Sequence, residues 1–268
     1  MFPDTITRIL AYGVLAALGL ALSAWIVAYR RGTRYSWSQV PLYIYCTLMT
    51  RVQWRLSQNG RLPIADDQGA VIVCNHRSGI DPAFIAMSTN RPVHWMVAKE
   101  YCQHPALAWF FSTLASIPVN RGGIDTASTK LAIRHARGGE LVGLFPEGRI
   151  NETHQFLLPG RPGAALIALK ARVPVIPCYL RDTPHDGSMV GFLMMPAKAH
   201  LIVGKPIDLS EYYGREGEPG VLEEMTRRFL QAIANLAGVK DYVPELAGKR
   251  WKTGAVAEPD MQLAGNSN

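Results

Sequence analysis

The residues best suited to chemistry are His76 and Asp81, which are separated by four residues and follow directly on an apolar run at 71–74. A buried strand that ends on a histidine delivers an imidazole to the edge of a sheet, and a carboxylate one tight turn later can hold that imidazole in one tautomer. This arrangement is typical of a general base. The alternative is a surface histidine beside a helix N-cap, because Asp81-Pro82 also looks like a helix start with proline at its first position.

Two further polar clusters follow apolar runs later in the chain. Arg121 comes after Ile-Pro-Val-Asn and precedes two glycines, so a guanidinium and a flexible turn could approach an anion together. In the second cluster, Glu147 could bind a hydroxyl or an amine, Gly148 would allow a substrate or a turn with positive φ, and Arg149 could extend the anion site. A solvated arginine and a structural Glu-Arg ion pair are the respective alternatives.

The amino terminus is predicted to be a membrane anchor, assigned to residues 1–34. Its stretch 9–29 contains no charged residue, and a helix of that length, at about 1.5 Å per residue, matches a hydrocarbon core of about 30 Å. Arginines at 30, 31 and 34 follow, so the positive-inside rule places the rest of the chain in the cytoplasm. A cleaved signal peptide is the alternative, and the basic residues directly after the apolar run argue against export.

Residues 35–60 are predicted to form an interfacial amphipathic helix. Their apolar residues have helical spacing, and tryptophan and arginine at 37, 51, 54 and 55 are types that lie comfortably at the level of lipid headgroups. The alternative is an ordinary amphipathic helix docked on the following domain. The two interpretations are compatible, since one helix can contact both the domain and the lipid headgroups.

Composition limits the remaining possibilities. The chain has 268 residues, 48% of them hydrophobic and 18% charged, which is too apolar for disorder and long enough for one large core. A formal charge of +7 suits an anionic partner, and membrane lipids fit better than nucleic acid because nucleic acid does not explain the anchor. The four cysteines form no CxxC pair, which favours reduced thiols and makes a zinc site improbable.

Beyond residue 60, short apolar runs alternate with helical stretches, which indicates an α/β fold with a central, mostly parallel sheet covered by helices. We assign residues 61–243 to this domain and residues 244–268 to a loosely ordered tail. The predicted strands are 71–74, 93–98, 117–119, 141–145, 175–180 and 200–203. The predicted helices are 82–89, 105–115, 126–137, 162–172 and 221–237.

Four sequence blocks occur in an order that resembles a known family. They are Asn-His at 75–76 with Asp81, Arg121 after Ile-Pro-Val, Phe-Pro-Glu-Gly at 145–148, and Val-Pro-Val-Ile-Pro at 173–177. Together they resemble the glycerolipid acyltransferases typified by lysophosphatidate (1-acylglycerol-3-phosphate) acyltransferase. The resemblance covers most of the chain outside the tail.

The resemblance implies a membrane-bound enzyme that moves a fatty acyl group from acyl-CoA or acyl carrier protein to the free hydroxyl of a lysophospholipid, without a further cofactor or metal. His76 would be the general base and Asp81 would orient it. Arg121 would hold the acceptor phosphate, and Glu147 with Gly148 would help to form the acceptor pocket. Arg149 directly follows the glycine, one position earlier than in many relatives, a form that also resembles enzymes acting on lysophosphatidylethanolamine.

Other classes of protein remain as alternatives. A hydrolase would need a nucleophile, and the sequence has no Gly-x-Ser-x-Gly motif. A metalloenzyme would need ligands with suitable spacing, and the other histidines are scattered at 94, 104, 135, 154, 185 and 200. A non-catalytic lipid-binding protein is the third class, which would tolerate the loss of His76.

Overall fold

The computed structural model describes residues 4–120, 125–185 and 191–248. Its strands are β1 Ser57–Gln58, β2 Ala70–Cys74, β3 Val93–Ala98, β4 Ile117–Val119, β5 Leu141–Leu144, β6 Val175–Arg181 and β7 His200–Val203. They form one seven-stranded sheet in the order β1-β7-β6-β2-β5-β3-β4. Every neighbouring pair is parallel except β6 with β7. The predicted α/β fold with a mostly parallel sheet is therefore confirmed.

Helices account for most of the other described residues. They are α1 Asp4–Arg31, α2 Val40–Val52, α3 Asp81–Ala86, α4 Lys99–Cys102, α5 Ala108–Thr113, α6 Thr126–Arg137, α7 Gly163–Ala171 and α8 Val221–Leu236. Two single-turn 3₁₀ helices lie at Gly191–Met194 and Ser210–Tyr212.

The central strand β2 is buried on both faces, as expected for a covered parallel sheet. Because successive side chains point to opposite faces, Val71 and Val73 join the core beneath α6, α7 and α8, while Ile72 joins a second core that includes α3. Helix α8 contributes Phe229 and Ile233, four residues apart and both fully buried, as its inward face. The sheet thus lies between two apolar layers.

The amino-terminal helices differ in how they pack. α1 is apolar and exposed over most of its length, and by length and composition the segment Thr5–Arg31 could cross a membrane. α2 buries Val40 and Tyr43 in a small cluster with Tyr35 and Ala86. Its other face leaves large apolar side chains exposed, including Tyr45, Leu48 and Val52. α2 therefore packs against the domain with one face and exposes apolar side chains on the other.

Several element boundaries differ from those predicted. α3 and α5 are shorter than expected, and α5 ends where Ala115 adopts a positive φ of 51°. β1 and α4 were not predicted, because two or four residues carry too little periodicity to be recognised. At the carboxyl end, the backbone of Glu245 and Ala247 hydrogen-bonds to Gly160, and residues 249–268 of the predicted tail lie outside the described residues.

Candidate active site

The carboxyl end of β2 is fixed to its neighbour β6 by Asn75. Its side-chain Nδ2 donates to the carbonyl of Leu180 at 2.8 Å, and its Oδ1 accepts from the Leu180 N–H at 2.8 Å. Asn75 is only 3% exposed, so both bonds are shielded from water. The side chain thereby extends the strand pairing by one residue and sets the point at which His76 leaves the sheet.

His76 and Asp81 meet as the sequence predicted. Nδ1 of His76 lies 3.0 Å from Oδ2 of Asp81, which is the first residue of α3 and is fully buried. The same Oδ2 accepts from the backbone N–H groups of Arg77 at 2.7 Å and Ser78 at 2.8 Å. With an ionised Asp81, Nδ1 carries the proton and Nε2 keeps its lone pair for a substrate. The imidazole side chain retains 15% exposure, so the ring is not closed off from solvent.

Aromatic rings hold the plane of the imidazole. The ring of Phe145 stacks on His76 with centroids 3.8 Å apart and an interplanar angle of 6°, and Trp95 stacks on Phe145 at 4.9 Å. Trp95 fits because its neighbour on β5 is Gly143, where a Cβ would lie 2.6 Å from the tryptophan ring. The sequence analysis did not assign this support to Phe145 and Trp95; a glycine inside a strand was the available signal.

Glu147 lies beside His76, but its carboxylate is directed at the backbone. Oε1 accepts from the His76 N–H at 2.7 Å and Oε2 accepts from the Leu158 N–H at 2.9 Å. Glu147 is 2% exposed, and this burial raises its pKa from 4.5 to about 7 despite the two N–H donors. Glu147 therefore connects the turn that begins at His76 to the backbone at Leu158.

The two residues after Glu147 differ in environment. Gly148 has a φ of 70°, a backbone conformation that favours glycine, and the guanidinium of Arg161 lies 2.7 Å from where a Cβ would be. Arg149 is exposed to solvent. The chain thus turns sharply at Gly148 and presents Arg149 on the surface, where a guanidinium can meet a charged ligand.

Arg77 closes one side of the turn that carries His76. Its guanidinium donates to the carbonyls of Asn151 at 3.0 Å, Thr153 at 2.8 Å and Gln155 at 2.7 Å. The N–H of Asn151 in turn donates to the carbonyl of His76 at 2.8 Å. Sequence reasoning did not assign this role to Arg77, because the carbonyls of a distant loop leave no side-chain pattern.

The predicted site residues are thus only partly assembled in the described structure. His76, Asp81 and Glu147 are joined by hydrogen bonds, and Arg149 follows on the same loop. Arg121 lies outside the described residues, and β4, which ends at Val119, is the third strand from β2 in the sheet. Adjacent strands are about 4.8 Å apart, so the end of β4 is about 14 Å from the end of β2.

Comparison with known proteins identifies similar acyltransferases. The family model described as Acyltransferase matches residues 55–181, which include every residue of the site discussed above. A 1-acyl-sn-glycerol-3-phosphate acyltransferase of Bacillus subtilis is 29% identical over 148 residues, or 54% of this chain and 70% of that protein. A protein of the same name from Streptococcus pneumoniae is 24% identical over 197 residues, or 70% of this chain and 67% of that protein.

The fold is also that of a solved structure. The crystal structure of the 1-acyl-sn-glycerophosphate (LPA) acyltransferase PlsC from Thermotoga maritima superposes with a TM-score of 0.57 and covers 90% of this chain and 98% of that chain. Its sequence identity of 18% supports the fold alone. Together with the family match and the two bacterial relatives, it confirms the resemblance to acyltransferases drawn from the four sequence blocks and supports an O-acyltransferase as the type of enzyme.

Proposed function

We propose that this acyltransferase moves a fatty acyl group from a thioester, acyl-CoA or acyl carrier protein, to the free hydroxyl of lysophosphatidate, giving phosphatidate. The observation that carries the proposal is the 3.0 Å contact between His76 Nδ1 and the buried Asp81, which leaves Nε2 as the base. The names of the bacterial relatives support lysophosphatidate as the acceptor.

The reaction needs one base and no covalent enzyme intermediate. Nε2 of His76 takes the proton of the acceptor hydroxyl as its oxygen attacks the thioester carbonyl carbon. The imidazolium that forms is stabilised by Asp81. When the tetrahedral intermediate collapses, the carbon–sulfur bond breaks, and the departing thiolate takes the proton back from His76.

Binding of the acceptor is assigned to the residues after β4 and β5. We propose that Arg121 and Arg149 hold the phosphate, because planar guanidinium groups bind phosphate oxygens in pairs. Glu147 and Gly148 would shape the acceptor pocket. Since both oxygens of Glu147 accept from backbone N–H groups, its contribution would come from the position it gives to the turn of His76.

The membrane helps to supply the acceptor. We propose that α1 anchors the chain with the catalytic domain facing the cytoplasm, where the soluble anionic acyl donor is available. The exposed apolar face of α2 would lie against the lipid headgroups. A lysolipid in that leaflet would then reach His76 at high local concentration.

Acyl transfer from acyl-CoA and from acyl carrier protein to a panel of lysolipids tests the proposal, with purified full-length protein in mixed micelles. Wild-type protein should acylate lysophosphatidate, and His76→Ala and Asp81→Ala should each lose about 10²–10⁴-fold in kcat while remaining folded. Preference for lysophosphatidylethanolamine would refute the acceptor assignment. Full activity of either variant would exclude the proposed base.

A second measurement addresses the phosphate. Arg121→Ala and Arg149→Ala should raise KM for lysophosphatidate more than for the acyl donor, because only the acceptor phosphate would lose its partner. An unchanged acceptor KM in both variants would count against these residues.

A further inference from the structure

A second group of polar side chains lies at the edge of the sheet opposite His76. His94 is the second residue of β3, His135 lies in the last turn of α6, and Glu140 directly precedes β5. One possible ligand atom from each lies within 4.8 Å of the other two. Because β2, β3 and β5 are parallel, the beginnings of β3 and β5 are at the far edge from the end of β2.

The orientation of His94 is fixed by the backbone. Its Nδ1 lies 2.9 Å from the carbonyl oxygen of Ala115, and the residue is only 7% exposed. A carbonyl can only accept, so Nδ1 carries the hydrogen and the neutral ring keeps its lone pair on Nε2. Such a bond from the second ring nitrogen to a carbonyl is typical of histidines that bind metal ions.

The lone pair of His94 faces a carboxylate. Nε2 lies 3.5 Å from Oε2 of Glu140, too far for a direct hydrogen bond. Two tetrahedral ligands at about 2.0–2.2 Å from one zinc ion are about 3.3–3.6 Å apart, which matches this separation. The observed distance therefore leaves room for a cation between these two atoms.

His135 completes the set. Its ring stacks on His94 with centroids 3.9 Å apart, and its Nδ1 hydrogen-bonds to the same oxygen of Glu140. A bound ion would take the place of the proton on Nδ1. The side chain of Glu140 is half exposed, so it can shift to admit an ion and water can reach the site.

We propose that His94, His135 and Glu140 bind a divalent transition-metal ion of the zinc type, with water as the fourth ligand. Two imidazoles and one carboxylate are ligands that zinc commonly has in proteins. Sequence analysis did not predict this site, because the three residues come from separate elements and lack the spacing of a ligand motif. Arg91, which donates to the neighbouring carbonyl of Gly139 at 3.3 Å, adds positive charge nearby and would moderate the affinity.

The ion would act on stability and not on the reacting groups. It would tie the beginning of β3 and the beginning of β5 to the end of α6, at about 10–13 Å from the other ends of these strands. Those other ends carry Phe145, which supports His76. A ligand that binds only the folded chain raises its free energy of unfolding by mass action.

Metal binding can be measured on full-length protein in detergent after treatment with a chelator. Wild-type protein titrated with Co²⁺ should develop visible d–d absorption at one equivalent, and Zn²⁺ should displace the Co²⁺ and raise the melting temperature. His135→Ala and Glu140→Gln should each weaken binding by at least about tenfold. Both are surface substitutions in or beside a helix, so they should fold even if changes at the buried His94 do not.

The controls separate this site from other histidines and from catalysis. His104→Ala, an exposed histidine between α4 and α5, should bind Co²⁺ as the wild type does. His76→Ala should also bind it, whatever the outcome of the acyl-transfer assay. Absence of Co²⁺ and Zn²⁺ uptake by the wild type would show that the cluster holds only a proton and would overturn the proposal. Unchanged uptake in both His135→Ala and Glu140→Gln would overturn it equally.

Discussion

Asp81 uses a single oxygen for all of its hydrogen bonds. Oδ2 faces His76 Nδ1 and the N–H groups of Arg77 and Ser78, whereas Oδ1 is buried with no hydrogen-bond partner among the described residues. An asparagine could place its carbonyl oxygen where Oδ2 lies. The Asp81→Asn substitution would keep the backbone turn and remove the negative charge. It therefore separates the effect of Asp81 on the orientation of His76 from the effect of its charge.

We therefore expect Asp81→Asn to reduce kcat by about 10²–10⁴-fold, because the imidazolium loses its counter-charge. The circular dichroism spectrum should stay that of the wild type, since the two backbone N–H groups keep their acceptor. Acyl transfer under saturating donor and acceptor is the measurement. A kcat within a factor of about two of the wild type, alongside an inactive His76→Ala, would show that His76 acts without the charge of Asp81.

Glu147 makes the stability of the fold depend on pH. Its folded pKa of about 7 lies above the unfolded value of 4.5 because the carboxyl is buried. Between these values the folded chain binds more protons than the unfolded chain, so the contribution of Glu147 falls as the pH rises, by up to about 1.4 kcal/mol per pH unit. Other groups add their own slopes, so a variant is needed to isolate this one.

Glu147→Gln should thus show a smaller loss of melting temperature between about pH 5 and about pH 7 than the wild type. It should also lower kcat, because its amide turns an N–H toward the His76 or Leu158 N–H and loosens the turn. Glu152→Gln is the control, because Glu152 lies in the same loop and is exposed. Its melting temperature should depend on pH as that of the wild type does. Parallel slopes for Glu147→Gln and the wild type would contradict a raised pKa.

At the scale of elements, Arg77 holds the loop after β5 to the turn that carries His76. The Arg77 guanidinium donates to three loop carbonyls between 151 and 155, and Asn151 donates back to His76. The side chain of Asn151 adds hydrogen bonds within the loop, and Arg77 is the side chain that joins three of its carbonyls to the turn of His76. The position of His76 consequently depends on an element that follows it by more than seventy residues in the sequence.

Arg77→Met keeps the length of the side chain and removes its donors. We expect faster amide hydrogen exchange across 151–155, corresponding to a local loss of about 1–3 kcal/mol, with a lower kcat/KM. Arg181→Met serves as the control, because among the described residues the ion pair of Arg181 is with the exposed Asp182, and surface pairs contribute little. Exchange that is equal in Arg77→Met and in the wild type would show that the loop is ordered without Arg77.

The same contacts explain which parts of the fold could be predicted. β3, β4, β7 and α6 have the predicted bounds, because apolar runs and a helical period are local properties of the sequence. The meeting of His76 and Asp81 was also predictable, since one tight turn joins them. The orientation of Glu147 was not, because it depends on the N–H of Leu158 in a loop whose path only the folded chain defines.

At the scale of the whole molecule, the exposed apolar side chains are concentrated in α1 and α2. The apolar face of α1 is exposed from Ile6 to Trp25, and further along it Ile26 and Tyr29 pack against the cluster around Tyr35. Tyr45 and Leu48 continue the apolar surface on α2. Two separable contributions to membrane binding are therefore expected, one from the anchor and one from the interfacial face.

Removing residues 1–24 separates these contributions without disturbing the packing of Ile26 and Tyr29. The truncated protein should float with vesicles less than the full-length chain, and it should retain some binding through α2. That residual binding to anionic vesicles should weaken in high salt, because Arg51 and Arg55 are exposed and their attraction to lipid is screened. Full release into the soluble fraction would show that α2 contributes nothing by itself.

Leu48→Ser in the truncated protein should abolish most of the residual vesicle binding, because the substitution removes an apolar side chain from the outward face of α2. Val243→Ser is the control, since Val243 is also apolar and exposed but lies near the carboxyl end of the described chain. Acyl transfer to a lysolipid dispersed in detergent should be preserved in both variants, because neither side chain hydrogen-bonds to or stacks on His76 or Asp81. If the truncated and full-length proteins float equally well, α1 is not the principal anchor, and the face of α2 must hold the enzyme at the membrane.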